Sequence, residues 1–329
     1  MLDIIDTTNQ WLQSHPPLML ATVIQTWGSS PRAVGAKMVI NAQGAMIGSV
    51  SGGCVEAAVI ADALENPHPH LLHFGVSDET AWDVGLACGG KLSVWVESLD
   101  LQWWQVAANR TLHDQTTITI TLLDGEHAGK KVVFSEAGVV VYTNLPKEII
   151  ATIEPLRHKV GYLAEHGAFI DVQHPRPHLV IVGAVHIAIA LQGFAAELGF
   201  RVSLIDPRKS FATWERFPHV DHIFHLYPDK VLAQMPPDAN TYIAVLSHDP
   251  KIDDPALIAA LPTAAAYIGV LSSQPSHEKR VKRLQAAGVD PVLLSRIRTP
   301  IGLSIGARTP AEIALCIMAE IIAVRNVPQ

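Results

Sequence analysis

Hydrophobic and polar positions follow two different patterns along the chain, and the change falls near residue 175. In the first half, short alternating runs predominate. Residues 2–13 predict an amphipathic helix that stops before His15-Pro16-Pro17. Leu18 to Trp27 predicts a strand, turned by Gly28-Ser29-Ser30-Pro31-Arg32. Residues 36–41 and 45–50 predict a strand pair joined through Gln43-Gly44, followed by a helix from Val55 to Glu65. Leu92 to Glu97 predicts a strand and residues 101–110 a helix. Thr116 to Leu123, Lys131 to Phe134 and Val139 to Thr143 predict antiparallel strands, with a turn at Asp124-Gly125.

After Gln173-His174-Pro175-Arg176-Pro177 the runs become wholly apolar and alternate with helical stretches. Leu179 to Val182 predicts a buried strand, Gly183 a turn, Ile187 to Leu198 a helix closed by Gly199, and Arg201 to Ile205 a strand ending at Asp206. Strands at 223–226, 241–246 and 265–268 and helices at 229–235, 254–261 and 276–287 continue the alternation. In the last helix Thr309 is the expected cap, Pro310 the first residue and Glu312 the partner completing a capping box. That helix is apolar on most sides, which suits the core or a second subunit. The fold class is therefore α/β: an N-terminal α+β domain over 1–174, then a C-terminal Rossmann-like parallel-sheet domain over 178–329.

Composition narrows the function classes. The 329 residues are 49% hydrophobic and 17% charged, which fits a well-packed globular chain. A net charge of −7 offers no polyanion-binding surface, so nucleic acid is not expected as a partner. No stretch reaches the ~18–20 apolar residues of a membrane span. The N-terminus is acidic where a signal peptide would be basic, and three cysteines at unrelated spacings make no disulfide framework. A cytoplasmic protein is expected.

Two stretches pair glycines with a cysteine. Gly48-Ser49-Val50-Ser51-Gly52-Gly53-Cys54-Val55-Glu56 joins a strand to a helix, where bare N–H groups and the helix dipole would favour an anion or a thiolate. The plain alternative is a turn eased by glycine, with Cys54 a small buried hydrophobe. Gly85-Leu86-Ala87-Cys88-Gly89-Gly90-Lys91, before a strand, repeats the association and shifts the balance towards a site. Arg32 and Lys37 flank Gly35 and suit either an anion or a solvated surface. His68, His70 and His73 lack a metal-ligand spacing. In the second half, Gly183-Ala184-Val185-His186 follows the first strand, but Val185 stands where a pyrophosphate-binding turn has its second glycine. Asp206 lies at the distance of a ribose contact, with Arg208 beside it, and His248 lies at a strand's carboxyl end. The cations of the helix 276–287, Arg280 among them, otherwise read as a solvated face.

These motifs together resemble the XdhC/CoxI family, the maturation factors of xanthine dehydrogenase and related molybdenum hydroxylases. The carriers are Gly28 to Arg32, Gly35-Ala36-Lys37-Met38, Ser51 to Glu56, Gly85 to Gly90, Gly183 to His186, His248-Asp249, Tyr267-Ile268-Gly269, Arg280 and Pro300-Ile301-Gly302-Leu303-Ser304-Ile305-Gly306. Two positions depart from the family pattern: Val185, and Arg298 where a histidine is common. The resemblance implies a carrier and not a turnover enzyme. It would bind molybdenum cofactor (molybdopterin, or its cytosine dinucleotide form), shield it while a cysteine desulfurase supplies its sulfur, and deliver it to an apo-hydroxylase. The cofactor-binding residues so implied are Arg32, Lys37, Ser51, Gly52, Gly53, Cys54, Glu56, Cys88, Gly89, Gly90, Gly183, His186, Asp206, His248, Arg280, Gly302 and Gly306, with Cys54 as the molybdenum or sulfur contact. The glycine-rich loops would take the pterin phosphate on their amides, Glu56 would orient its loop, and a homodimer is expected. The competing class is an NAD(P)-dependent oxidoreductase built on the C-terminal domain.

Overall fold

A computed structural model describes residues 1–14, 16–28, 32–75 and 90–326. The chain divides into two compact units, Met1–Pro175 and Arg176–Gln329.

The first unit contains two five-stranded antiparallel sheets. The first sheet follows helix α1 (Leu2–Ser14) and comprises β1 (Met19–Trp27), β2 (Lys37–Ile40), β3 (Met46–Gly48), then, beyond α2 (Glu56–Glu65), β4 (His70–Phe74) and β5 (Lys91–Ser98), in the order β3-β2-β1-β5-β4. Helix α3 (Leu101–Leu112) leads to the second sheet. Its strands are β6 (Thr117–Leu122), β7 (Lys131–Ser135), β8 (Val140–Thr143) and, after α4 (Lys147–Ile153), β9 (Gly161–Leu163) and β10 (Ala168–Gln173), in the order β8-β7-β6-β10-β9. Strand β1 shows why its run is almost continuously apolar: both of its faces are covered. Met19, Ala21 and Val23 pack with Val55, Val59 and Ala63 at α2, while Leu20 and Ile24 face the opposite way, among residues of α1, α3 and the second sheet.

The second unit is a six-stranded parallel sheet, β11 (His178–Val182), β12 (Arg201–Ile205), β13 (His222–Phe224), β14 (Thr241–Val245), β15 (Tyr267–Val270) and β16 (Ile297–Arg298), in the order β13-β12-β11-β14-β15-β16. Helices α5 (His186–Glu197) and α10 (Pro310–Arg325) cover one face with Ala188, Leu191, Ile317 and Ile321. Helices α6 (Pro228–Gln234), α7 (Pro250–Ala260) and α8 (Gln274–Ala286) cover the other with Val231, Leu257 and Leu284, and a short α9 (Pro291–Leu294) precedes β16. This is the doubly wound Rossmann-like arrangement, with the strand order reversing beside β11. Helix α10 begins with the capping box expected of Thr309 and Glu312. It buries Ala314, Cys316, Ile317, Met318 and Ile321 within its own unit, while Leu315 is exposed. Among the described residues no helix is long and apolar enough to cross a membrane.

Candidate functional site

The loop between β3 and α2 is organised by one carboxylate. Glu56 Oε1 accepts from the Ser49 hydroxyl at 2.7 Å and from the N–H groups of Val50, Ser51 and Gly52 at 3.2, 2.9 and 3.1 Å. Its Oε2 accepts from the Ser51 hydroxyl at 2.5 Å and from the Gly53 N–H at 2.9 Å. Burial by itself would raise the Glu56 pKa, but the two serine hydroxyls and the backbone donors outweigh it and hold the group at about 2. Ser51 then passes the order on, its Oγ accepting from the N–H groups of Cys54 and Val55 at 3.0 Å each. Val50 and Val55 are fully buried on either side, and the Cys54 side chain between them is exposed.

This corrects one reading of the sequence. The amides of Ser51, Gly52 and Gly53 were expected to receive a phosphate; they are engaged by the chain's own Glu56. What the loop presents outward is a thiol. Helix α2 starts at Glu56, with Val55 as its cap, so Cys54 sits one residue ahead of the cap. Arg32 joins the loop, its Nε donating to the Ser49 carbonyl at 3.2 Å.

Lys37 behaves differently from the expectation of a cation open to an anion. Its main-chain carbonyl accepts from Ser49 N–H, but its side chain is 5% exposed and its Nζ lies 2.5 Å from Asp171 Oδ2 on β10. A second buried pair, Lys131 with Glu97 at 2.5 Å, crosses between the same two sheets. The two pairs line a cavity of about 20 Å³ with Thr22, Thr119 and Thr121. Lys37 therefore belongs to the interior of the first unit, neutralised by a carboxylate.

In the second unit the carboxyl ends of β11, β12, β14 and β15 bring a charged group together. Gly183 follows β11 with φ 103°, and a Cβ there would lie 2.7 Å from Ser247, so only glycine lets the two loops approach. His186 opens α5 and is exposed. Asp206 is fully buried: it accepts from Ala184 N–H at 2.8 Å and holds Arg208 through two contacts of 2.9 and 2.7 Å. Burial opposes its ionisation, yet Arg208 and the amides keep its pKa below the ordinary value. This carboxylate fastens the glycine turn, and it does not face solvent as a ribose contact would. After β14, His248 is exposed with φ 61°, in the left-handed region that side chains seldom adopt.

Beneath that loop lies a chain of polar groups the sequence did not reveal. Ser247 donates to Asp253 Oδ1 at 2.6 Å, and Arg280 Nη2 donates to Asp253 Oδ2 at 3.2 Å. Burial raises the Asp253 pKa, against the pull of Ser247 and Arg280. Arg280 is 5% exposed, so it is no part of a solvated helix face. Neighbouring His277 has its pKa lowered, by burial first and by Arg280 next. Asp253 escaped notice because nothing in its local spacing marks it; only the α7–α8 packing brings it to Arg280.

Gly302 sits against α10, and its N–H donates to Glu320 Oε2 at 2.8 Å; Tyr267 donates to the same oxygen at 2.5 Å. Arg298 lies 3.6 Å from Glu320 Oε1. Gly302 thus has a packing role, while a Cβ on Gly306 would meet open space. Gly90 is buried beside Gly28. Cys88 and Gly89, like Ser29 to Pro31 and Gly85 to Ala87 of the motifs, lie outside the described residues. Among the described residues no cluster of three or more His, Cys, Asp or Glu side chains is arranged to hold a metal ion. His70 instead meets Asp62 at 2.5 Å, and His73 meets the Ser93 hydroxyl at 2.9 Å.

Comparisons with known proteins extend over nearly the whole chain. Residues 11–75 match the model of the XdhC and CoxI family, and residues 179–321 match that of the XdhC Rossmann domain. A Bacillus subtilis protein, named as a probable subunit of xanthine dehydrogenase, is 28% identical, over 96% of this chain and 95% of its own length. The molybdenum cofactor insertion chaperone PaoD of Escherichia coli is 27% identical, over 95% of this chain and 85% of its own. A crystal structure from Bacillus halodurans, described as a xanthine dehydrogenase, superposes with a TM-score of 0.82 and 25% identity, over 99% of this chain and 96% of that one.

Proposed function

Because the chain belongs to the XdhC/CoxI family, we propose that it is a maturation factor that carries molybdenum cofactor to a xanthine dehydrogenase-type hydroxylase. The observation that carries this reading is the likeness to the E. coli insertion chaperone along almost the whole chain, both units included. In this reading the protein is not a turnover enzyme. It takes up the cofactor, as the mononucleotide or the cytosine dinucleotide, shields it while a cysteine desulfurase supplies the terminal sulfur, and releases it to the apo-hydroxylase. The work is cytoplasmic, and assembly as a homodimer, measurable by light scattering, belongs to the same reading.

The chemistry of the β3–α2 loop suits such a cargo. A thiolate is a soft ligand, matched to a metal–sulfur centre. Cys54 is exposed, and Glu56 fixes the backbone on which it stands. A donor held in place loses little freedom on contact with its ligand. Cys316, buried in α10, serves as the internal control.

Incubating the purified protein with molybdopterin species and with NAD(P), then measuring what remains bound, separates the carrier from the oxidoreductase. Cys54→Ser and Cys316→Ser variants, each loaded with cofactor, are then tested for reactivation of an apo-hydroxylase. The expected outcome is loss of at least tenfold in the Cys54 variant, corresponding to about 1.4 kcal/mol or more, and none in the Cys316 variant. Equal reactivation by both removes Cys54 from the site, and retention of NAD(P) alone removes the carrier reading.

A further inference from the structure

Helix α8 starts after Ser273, whose side chain makes no capping hydrogen bond to it. The Ser273 hydroxyl donates to Ser276 Oγ at 3.0 Å, and that of Ser272 to the Ser273 carbonyl at 3.1 Å. In the first turn of this 13-residue helix Pro275 carries no N–H and the His277 N–H donates to the Ser273 carbonyl at 2.9 Å, so the amides of Gln274 and Ser276 are the ones left without an acceptor from the capping side chain. A second observation comes from Arg280, which is 5% exposed. Its Nη2 is held by Asp253, but its Nε and Nη1 are buried without a hydrogen-bond partner among the described residues. Nδ1 of His277, one turn earlier, is buried and unpartnered in the same way.

Long side chains on a helix run back towards its amino end. Arg280 therefore reaches over the turn that carries Ser276 and His277, towards the uncapped start of α8. Leaving two guanidinium nitrogens and an imidazole nitrogen without partners costs free energy that the protein alone does not recover. Such half-satisfied groups mark the place of a partner that is not part of the chain. The place is also where an open parallel sheet takes its ligands, just beyond the carboxyl end of β15.

We propose that the amino-terminal turn of α8 and the Arg280 guanidinium form a binding site for a phosphate group. Phosphate supplies several acceptor oxygens and negative charge, which suit a planar guanidinium, unsatisfied helix amides and the nearby serine hydroxyls together. Asp253 takes only Nη2 of the guanidinium and leaves Nε and Nη1 without a protein acceptor. The inference does not depend on the identity of the cargo.

Titration calorimetry of the full chain with inorganic phosphate, cytidine monophosphate and cytidine tests it. Both phosphates are expected to bind at one site and cytidine not to bind. Equal affinities make phosphate the whole ligand and tighter binding of the nucleotide makes it a nucleoside phosphate; either supports the site. Arg280→Gln is expected to weaken binding at least tenfold. Because that change also removes a partner of Asp253, a second variant is needed. Ser273→Asp supplies a carboxylate cap that steadies α8 and occupies the phosphate position, so folding is kept while affinity falls at least tenfold. Unchanged phosphate affinity in Ser273→Asp overturns the proposal. So does absence of phosphate binding to the unaltered protein, or a phosphate-soaked crystal with only water against Arg280. No molybdenum cofactor enters the assay, so its failure leaves the maturation reading standing, and the reverse holds.

Discussion

At the scale of single residues, Glu56 illustrates how a side chain in a motif can serve the motif itself. Its carboxylate collects four amides and two hydroxyls, so the β3–α2 loop is shaped around an internal anion. Glu56→Gln tests this. The amide group of glutamine would set an N–H against backbone donors, and the expected result is a lower melting temperature at neutral pH. The pH dependence has a definite sign. The folded pKa is depressed from 4.5 to about 2, so its stabilisation is full above 4.5 and disappears as pH falls through about 2. At full strength it is about 2–3 kcal/mol, allowing for solvent screening. Melting curves of both proteins from neutral pH to strong acid should converge through that window; a gap independent of pH would mean that the charge is not the cause. The sequence pointed to this loop through its glycines, its cysteine and the family likeness. It could not show where the amides point, because an anion site filled from outside and one filled by a residue three to six positions onward have the same local composition.

At the scale of elements, legibility followed burial pattern. Strands β11, β12 and β14 were readable as apolar runs because the sheet is covered on both faces. Strand β10 was not, because Asp171 interrupts its middle, and that charge is present to meet Lys37 from the other sheet. Strand β4 was masked by His70 and His73, whose partners are Asp62 and Ser93. Helix α7 begins at Pro250 under an Asp249 cap, four residues before the start expected from periodicity. The string Pro300 to Gly306 was legible as a motif, but its packing against α10 was not. Gly302 has φ 88°, and a Cβ there would fall 2.9 Å from Ile317 N and 3.0 Å from Cys316 C. Gly302→Ala combines a left-handed alanine with a clash against the backbone of α10, and a loss of about 2–4 kcal/mol is expected. Chemical denaturation measures it, and a loss below about 0.5 kcal/mol, the size of an ordinary surface substitution, would contradict the close packing.

At the scale of the whole molecule, each unit pairs its most buried charges within itself. In the first, Lys37 pairs with Asp171 and Lys131 with Glu97, so the charges that would be most costly to uncover have partners within Met1–Pro175. In the second, the parallel sheet takes helices on both faces from Arg176–Gln329 alone, and Arg280 with Asp253, Arg208 with Asp206, and Gly302 with Glu320 all close within it. The change of pattern near Pro175-Arg176-Pro177 was visible in the sequence because alternating strands and apolar strands leave different periodicities. Pieces of this size, about 150 residues or more, bury roughly 70% of the surface of the unfolded chain, enough for a self-standing core. Separate expression of residues 1–175 and 176–329 is therefore expected to give two folded proteins, each melting in one cooperative transition. The first piece should also keep the loop that presents Cys54, since Ser51 and Glu56 belong to it, and react with a thiol reagent at the rate of the full chain. A piece that shows no transition would reveal that its core needs the other half. A folded 1–175 with a changed Cys54 rate would mean that the loop takes its shape from more than Glu56.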